Sequence, residues 1–97
     1  AGDVSDTDTV ERALAAAEEL GGLWGLVNNA GINPHYHPVT ETPLSEWDEV
    51  MAVNLLGAAA FARAAGRRLA EAGRGGRIVN LSSIAALTGL PNIGPYN

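Results

Sequence analysis

A serine and a tyrosine near the end of the chain, Ser83 and Tyr96, stand thirteen residues apart. A phenol ordinarily has a pKa of about 10, so it exchanges protons near neutral pH only if a nearby positive charge stabilises the phenolate. A neutral hydroxyl such as that of Ser83 can hydrogen-bond the same substrate oxygen while charge develops there. The pair is therefore suited to interconverting a carbonyl and an alcohol. Taken alone, however, the two residues more often mark a strand end and an ordinary surface tyrosine.

Asn54 is a third candidate because it interrupts the apolar stretch "MAVNLLGAAAF". An amide is a poor helix former, and burying it without partners costs about 1 to 3 kcal/mol. We therefore expect another group to satisfy it. That group could be a neighbouring backbone unit, or the asparagine could take part in moving a proton.

The tetrapeptide "NNAG" at 28–31 follows a short apolar run. Small residues and amides at such a position let the backbone approach a flat ligand closely, and Gly31 could adopt a conformation closed to other residues. As an isolated feature, the tetrapeptide would be only a turn.

A helix is predicted from about Thr7 to Leu20. Its apolar residues recur at steps of three and four, which places them on one helical face, and Gly21 with Gly22 supplies the stop. These residues are Val10, Ala13, Leu14, Ala17 and Leu20.

Two short apolar runs, 23–27 and 78–81, are typical of parallel strands buried on both faces. Between them, acidic residues near Pro43 and Ser45 favour the start of a long helix that ends near Ala72, with Gly73 as its exit. Strand, helix and strand form a βαβ unit, in which the strands run parallel. The segments after both strands should then meet at the carboxyl edge of the sheet, where open α/β proteins bind ligands.

The motifs "NNAG" at 28–31, "VNLLG" at 53–57 and "NLSS" at 80–83, together with Tyr96, resemble the short-chain dehydrogenase/reductase family in its classical subgroup. The resemblance covers the whole chain. It implies an α/β fold, part of a doubly wound parallel-sheet Rossmann fold. Residues 1–97 would be the central fragment of a single NAD(P)-binding domain. The family's glycine-rich turn would lie before this fragment, and its lysine, four residues past the tyrosine, would follow Asn97.

The resemblance implies a role for each candidate. Tyr96 would be the proton donor or acceptor beside the coenzyme, Ser83 would orient the substrate oxygen, and Asn54 would continue a proton relay from a locally distorted helix.

The implied coenzyme is NAD or NADP. Asn29, Ala30 and Gly31 would pack against its adenosine side, and Asp3 with Val4 would form the adenine pocket. Asp3 would accept a hydrogen bond from the exocyclic amine there, although it could equally be a solvated loop acid.

The implied reaction is hydride transfer between NAD(P) and a small carbonyl or alcohol substrate. A 3-oxoacyl-carrier-protein reductase is the first candidate by its frequency in the family, followed by enzymes acting on steroid, sugar or polyol alcohols. The alternatives are a nucleotide-sugar epimerase or dehydratase relative and a catalytically inactive NAD(P)-binding regulatory protein. The isolated 97 residues are expected to be inactive.

Composition excludes several classes of partner. Eleven acidic residues face six arginines and no lysine, for a net charge of -5, which disfavours nucleic acid. Apolar stretches are too short to span a membrane, and the absence of cysteine agrees with a cytoplasmic location.

His35 and His37 are interpreted as loop residues that contact substrate, with no metal expected. The resemblance implies a homodimer or homotetramer.

Overall fold

The computed structural model describes all of residues 1–97. The elements in chain order are α1 (Thr7–Glu19), β1 (Gly25–Asn28), a 3-10 turn (Val39–Glu41), α2 (Leu44–Met51), a π-helical segment (Ala52–Gly57), α3 (Ala58–Ala72), β2 (Arg77–Asn80) and α4 (Ala85–Thr88). The strands pair in parallel, with Gly25 opposite Arg77 and Asn28 opposite Asn80. The predicted parallel βαβ unit is confirmed.

Helix α1 begins after Asp6, whose side chain accepts a hydrogen bond from the Asp8 N–H. Of the predicted apolar face, Val10 and Leu14 are buried, whereas Leu20 is exposed. The face was predicted too long, because Leu20 is the C-cap, where the chain turns away into glycines of positive φ.

The predicted long helix is present from Leu44 to Ala72, but a π-helical segment divides it into α2 and α3. It begins after Pro43, with no side-chain cap, and Ser45 lies within its first turn. It ends at Gly73, which has a φ of 67° as the predicted exit requires. No helix is both long and apolar enough to cross a membrane.

The core lies between α1, α3 and one face of the two-stranded sheet. Its buried residues are Val10, Leu14, Leu23, Ala65 and Leu69. Leu26 packs against this cluster, while Val27 and Val79 on the opposite face are 62% and 49% exposed. The prediction that both strand faces are buried is therefore wrong for Val27 and Val79, because α1 and α3 cover only the other face of the sheet.

The strands also differ from the predicted bounds. Leu23 and Trp24 lie before β1, and Leu81 lies after β2, although its N–H still donates to the Asn28 carbonyl. Leu23 is nevertheless buried in the core. An apolar run marks buried residues, whereas a strand is defined by its ladder of backbone hydrogen bonds. Here the buried residues begin at Leu23, before the ladder begins at Gly25.

Candidate functional site

The chain segments that leave β1 and β2 line one cavity of about 630 Å³ at the carboxyl edge of the sheet. Asn29 and Gly31 come from the first segment, Ser83 from the second, and Asn54 from the π-helical segment between them. Tyr96 completes the same wall. Residues that are distant in sequence are thus brought together by the parallel crossover.

The two hydroxyl-bearing candidates, Ser83 and Tyr96, are both half-buried in this cavity wall. The Ser83 Oγ accepts a hydrogen bond from the Ala85 N–H at 3.2 Å, which leaves the hydroxyl hydrogen able to donate elsewhere. The Tyr96 N–H donates to the Ile93 carbonyl at 3.0 Å and fixes the backbone that carries the phenol. The side chain of Ser83 and the backbone of Tyr96 are thus each anchored, and both residues line the cavity.

Asn54 is held by two hydrogen bonds to one residue. Its Nδ2 donates to the Ile32 carbonyl at 2.9 Å, and its Oδ1 accepts from the Ile32 N–H at 2.8 Å. The expected partner is therefore a backbone unit of the loop that follows "NNAG". Each amide atom keeps one further hydrogen-bonding capacity. The surrounding helix is π-helical, a distortion that is frequent at functional sites.

A second cavity, of about 730 Å³, adjoins the first. Both are lined by Ala30 and Gly31, and the second is also lined by Asp3 and Val4. Gly31 does not have the positive φ that the sequence suggested. A Cβ there would lie 3.6 Å from the Asn54 Oδ1, an ordinary contact, so neither the backbone conformation nor the contact with Asn54 requires a glycine at this position.

Asp3 is exposed but locally ordered. Its Oδ1 accepts hydrogen bonds from the backbone N–H and from the hydroxyl of Ser5, both at 2.8 Å. These two bonds, the backbone one foremost, hold the pKa of the Asp3 carboxyl below its ordinary value. An ionised carboxylate at this position can accept a hydrogen bond from an amine.

The donor set in the second cavity fits the adenosine half of a nicotinamide coenzyme. Asp3 would supply an acceptor for the exocyclic amine, and Ala30 with Gly31 would present little side-chain bulk to a flat ring. Val4 is fixed by Gly57, where a Cβ would come within 2.9 Å of the Val4 carbonyl oxygen.

Sequence reasoning missed a pair of amides at the strand ends. Asn28 Nδ2 donates to the Asn80 Oδ1 at 2.8 Å and to the Ala58 carbonyl at 3.0 Å. The pair joins both strands to the residue that follows the π-helical segment. The available signal was an amide at the end of each apolar run, at matching positions of two strands.

A second missed feature lies in the loop 32–42, where His35 and His37 face Glu46 and Glu49 of α2. Substrate contact was expected of these histidines, but their rings are engaged with carboxylates of the same chain. No group of three or more His, Cys, Asp or Glu side chains has the arrangement of a metal site.

The fold and this edge of the sheet define an open α/β protein of the dinucleotide-binding type. A family model described as short chain dehydrogenase matches residues 1–97. The chain belongs to the short-chain dehydrogenase family.

Two relatives show how much of such proteins the chain represents. L-rhamnose 1-dehydrogenase (NAD(P)(+)) of Azotobacter vinelandii is 44% identical over 88 residues, which cover 90% of this chain and 34% of the relative. Inactive 2-(S)-hydroxypropyl-CoM dehydrogenase 2 of Xanthobacter autotrophicus is 42% identical over 95 residues, 97% of this chain and 40% of the relative. The chain therefore spans 34% to 40% of the length of these relatives.

Among solved structures, that of NAD+-bound xylitol dehydrogenase superposes with a TM-score of 0.87 at 29% identity, covering 97% of this chain and 36% of that one. The predicted α/β class, with part of a Rossmann fold, is confirmed. The predicted coenzyme, NAD or NADP, is confirmed at the level of the family by the coenzymes named for the rhamnose and xylitol dehydrogenases.

Proposed function

We propose that the chain contributes coenzyme- and substrate-binding residues to an NAD(P)-dependent oxidoreductase that interconverts a ketone and a secondary alcohol. The observation that supports this best is the single cavity lined by Asn54, Ser83 and Tyr96 in a member of this family. The chain spans 34% to 40% of the length of the rhamnose dehydrogenase and the inactive dehydrogenase. We therefore assign the activity to a longer polypeptide, of these relatives' length, that carries the 97 residues as its central section. We call it the full-length polypeptide.

In this proposal Tyr96 handles the proton. A bound nicotinamide would donate or accept the hydride at the substrate carbon. The Tyr96 phenol donates a proton to the carbonyl oxygen during reduction and removes it from the alcohol during oxidation. Ser83 donates a hydrogen bond to the same oxygen and so holds it in place while charge develops.

The phenolate form of Tyr96 needs a cation, and none of the residues that line the cavity is Lys, Arg or His. In this proposal the positive charge comes from the coenzyme or from residues outside these 97. For this reason we expect the isolated chain to show no turnover and the full-length polypeptide to be the active species. Asn54, with one free capacity on each amide atom, could link the phenol to such a cation through water.

The adenosine half of NAD or NADP is assigned to the second cavity. Asp3 would accept from the exocyclic amine of the adenine, Val4 would pack beside the ring, and Ala30 with Gly31 would cover the adenosine side. Asn29 would adjoin them from the wall of the first cavity. The ordered Asp3 carboxylate supports this assignment, because Ser5 already fixes one of its oxygens and keeps the group ionised.

We propose a small polyhydroxylated substrate, a sugar or a polyol. Seven residues with amide or hydroxyl side chains line the first cavity, which we call the catalytic cavity: Asn29, Asn33, Asn54, Ser82, Ser83, Tyr96 and Asn97. Such groups pair well with several substrate hydroxyls and poorly with an acyl chain. Two of the similar proteins are named for rhamnose and xylitol. We therefore place this class ahead of the 3-oxoacyl carrier-protein substrate that the resemblance first suggested.

A second candidate is a coenzyme-binding protein without turnover, because one relative of 42% identity is named as inactive.

We further propose a homodimer or homotetramer in the cytoplasm. Two small residues of α3, the exposed Ala59 and the half-buried Ala62, would permit close approach of a second helix. Sedimentation of the full-length polypeptide tests the oligomeric state.

The proposed function is tested by titrating the full-length polypeptide with NAD(H) and NADP(H), followed by turnover assays on a panel of polyols, sugars and simple ketones. We expect micromolar to millimolar coenzyme binding and turnover of at least one secondary alcohol. Coenzyme binding without turnover across the panel would favour the second candidate. No binding of either coenzyme would contradict both.

A further inference from the structure

The loop 32–42 is attached to the first turns of α2 by a network of two histidines and two glutamates. His37 Nε2 lies 3.1 Å from the Glu46 Oε1, and His35 Nδ1 lies 3.7 Å from the same oxygen. His35 Nε2 lies 2.6 Å from the Glu49 Oε2. The Glu46 Oε1 thus lies near a nitrogen of each imidazole ring and closer to that of His37.

Glu46 is the enclosed member of this network. Its side chain is only 14% exposed, whereas that of Glu49 is 53% exposed. The other Glu46 oxygen, Oε2, is buried without a hydrogen-bond partner. The polar neighbours of this carboxylate are the imidazole rings of His35 and His37.

His37 continues the connection through its backbone. Its N–H donates to the Asn92 carbonyl at 2.9 Å, and His37 forms an isolated parallel bridge with Ile93. The Ile93 carbonyl in turn accepts from the Tyr96 N–H at 3.0 Å. A short path of contacts therefore leads from Glu46 through His37 to the backbone of Tyr96.

The neighbour of Glu46 contacts the same segment independently. The Trp47 ring lies against Gly94, where an added Cβ would be 3.3 Å from the indole. Two successive residues of α2 thus hold the segment 92–96, Glu46 through His37 and Trp47 through packing. Ile93 itself is buried, so this segment is a defined part of the structure.

We propose that Glu46 is a positioning residue that acts through His37 to hold Tyr96 at the catalytic cavity. The inference rests on the proposed function insofar as Tyr96 exchanges the proton. Glu46 does not line that cavity, so its effect is on the placement of the phenol. Loss of orientation by about 1 Å is enough to slow a reaction roughly a hundredfold.

The test compares Glu46→Ala with Asp48→Ala in the full-length polypeptide. Asp48 is an exposed acid on the same helix that makes no side-chain hydrogen bond or ion pair and lines neither cavity, so it serves as the matched control. The first readout is hydrogen exchange of the His37 and Tyr96 amides, which reports local opening whether or not the protein is an enzyme. We expect Glu46→Ala to speed both exchanges by about tenfold or more, and Asp48→Ala to change them by less than about twofold.

The second readout separates positioning from general destabilisation. We expect Glu46→Ala to lower kcat by about tenfold or more while coenzyme affinity changes by less than about twofold, with partial rescue by Glu46→Gln, which can still accept from His37. His37→Ala should reproduce the kinetic effect if Glu46→Ala does not fold.

Unchanged exchange of both amides would overturn the inference, as would faster exchange with unchanged kcat. If the unmodified polypeptide shows no NAD(P)-dependent turnover, the proposed function fails. The exchange comparison then still decides whether Glu46 holds the Tyr96 segment.

Discussion

The side-chain amide of Asn54 pairs with the backbone of Ile32 through two hydrogen bonds of 2.9 and 2.8 Å, one donated and one accepted. The side chain of this helix residue thereby fixes the loop that follows β1, because it pairs with both the N–H and the carbonyl of one backbone residue. The contact accounts for an amide within an apolar helical stretch. It also joins the π-helical segment to residues 30–32, which line both cavities.

Replacing Asn54 should destabilise the protein. Asn54→Ala leaves the Ile32 N–H and carbonyl, both in a part-buried region, without partners, so we expect the free energy of unfolding to fall by about 1 to 3 kcal/mol. Asn54→Asp should cost at least as much, since it places an oxygen against the Ile32 carbonyl. Denaturant titration measures both, with Asn33→Ala as a control from the same cavity wall. A loss below about 0.5 kcal/mol for Asn54→Ala would contradict the assigned bonds.

Gly57 is predicted to be intolerant of a methyl group, in contrast to Gly66. A Cβ at Gly57 would lie 2.9 Å from the Val4 carbonyl oxygen, whereas one at Gly66 would lie 3.8 Å from the Ile78 Cδ1. We expect Gly57→Ala to cost about 1 to 3 kcal/mol and to weaken coenzyme binding by displacing Val4. Gly66→Ala should be neutral or stabilising by about 0.5 to 1 kcal/mol. Thermal unfolding and coenzyme titration distinguish the pair. Equal effects of the two substitutions would show that the contact at Val4 is unimportant.

Asp3 should titrate below its ordinary pKa, because the N–H and hydroxyl of Ser5 donate to its Oδ1. Since the pKa is lower in the folded state than in the unfolded chain, the stability it contributes is present above the unfolded pKa and disappears as pH falls through the folded value. Ser5→Ala removes the hydroxyl donor and should raise the pKa of Asp3, measured by NMR titration of the carboxyl carbon. An unchanged titration in that variant would leave the backbone bond as the sole cause.

The parallel βαβ unit was predictable because its signals are local. Apolar runs ending in polar residues mark strands, and an acidic start with a terminal glycine marks the helix between them. Parallel strands then require the segments containing Gly31 and Ser83 to share one edge. The common cavity follows from topology alone.

Other features depend on backbone pairing and loop conformation, which residue periodicity does not encode. The strand bounds shifted because the ladder excludes Leu23 while the core includes it. The contact of Glu46 with His37 requires the loop to fold back on α2. No spacing rule predicts that return, because the two residues belong to different elements.

The central claim is that Tyr96 transfers the proton in an NAD(P)-dependent reaction, and Tyr96→Phe in the full-length polypeptide tests it most directly. This substitution removes one oxygen and keeps the ring that packs in the cavity wall. Steady-state turnover of the preferred alcohol and coenzyme affinity are measured together. We predict a loss in kcat of about 10²- to 10⁴-fold with coenzyme affinity nearly unchanged. Turnover equal to that of the unmodified polypeptide would contradict the claim.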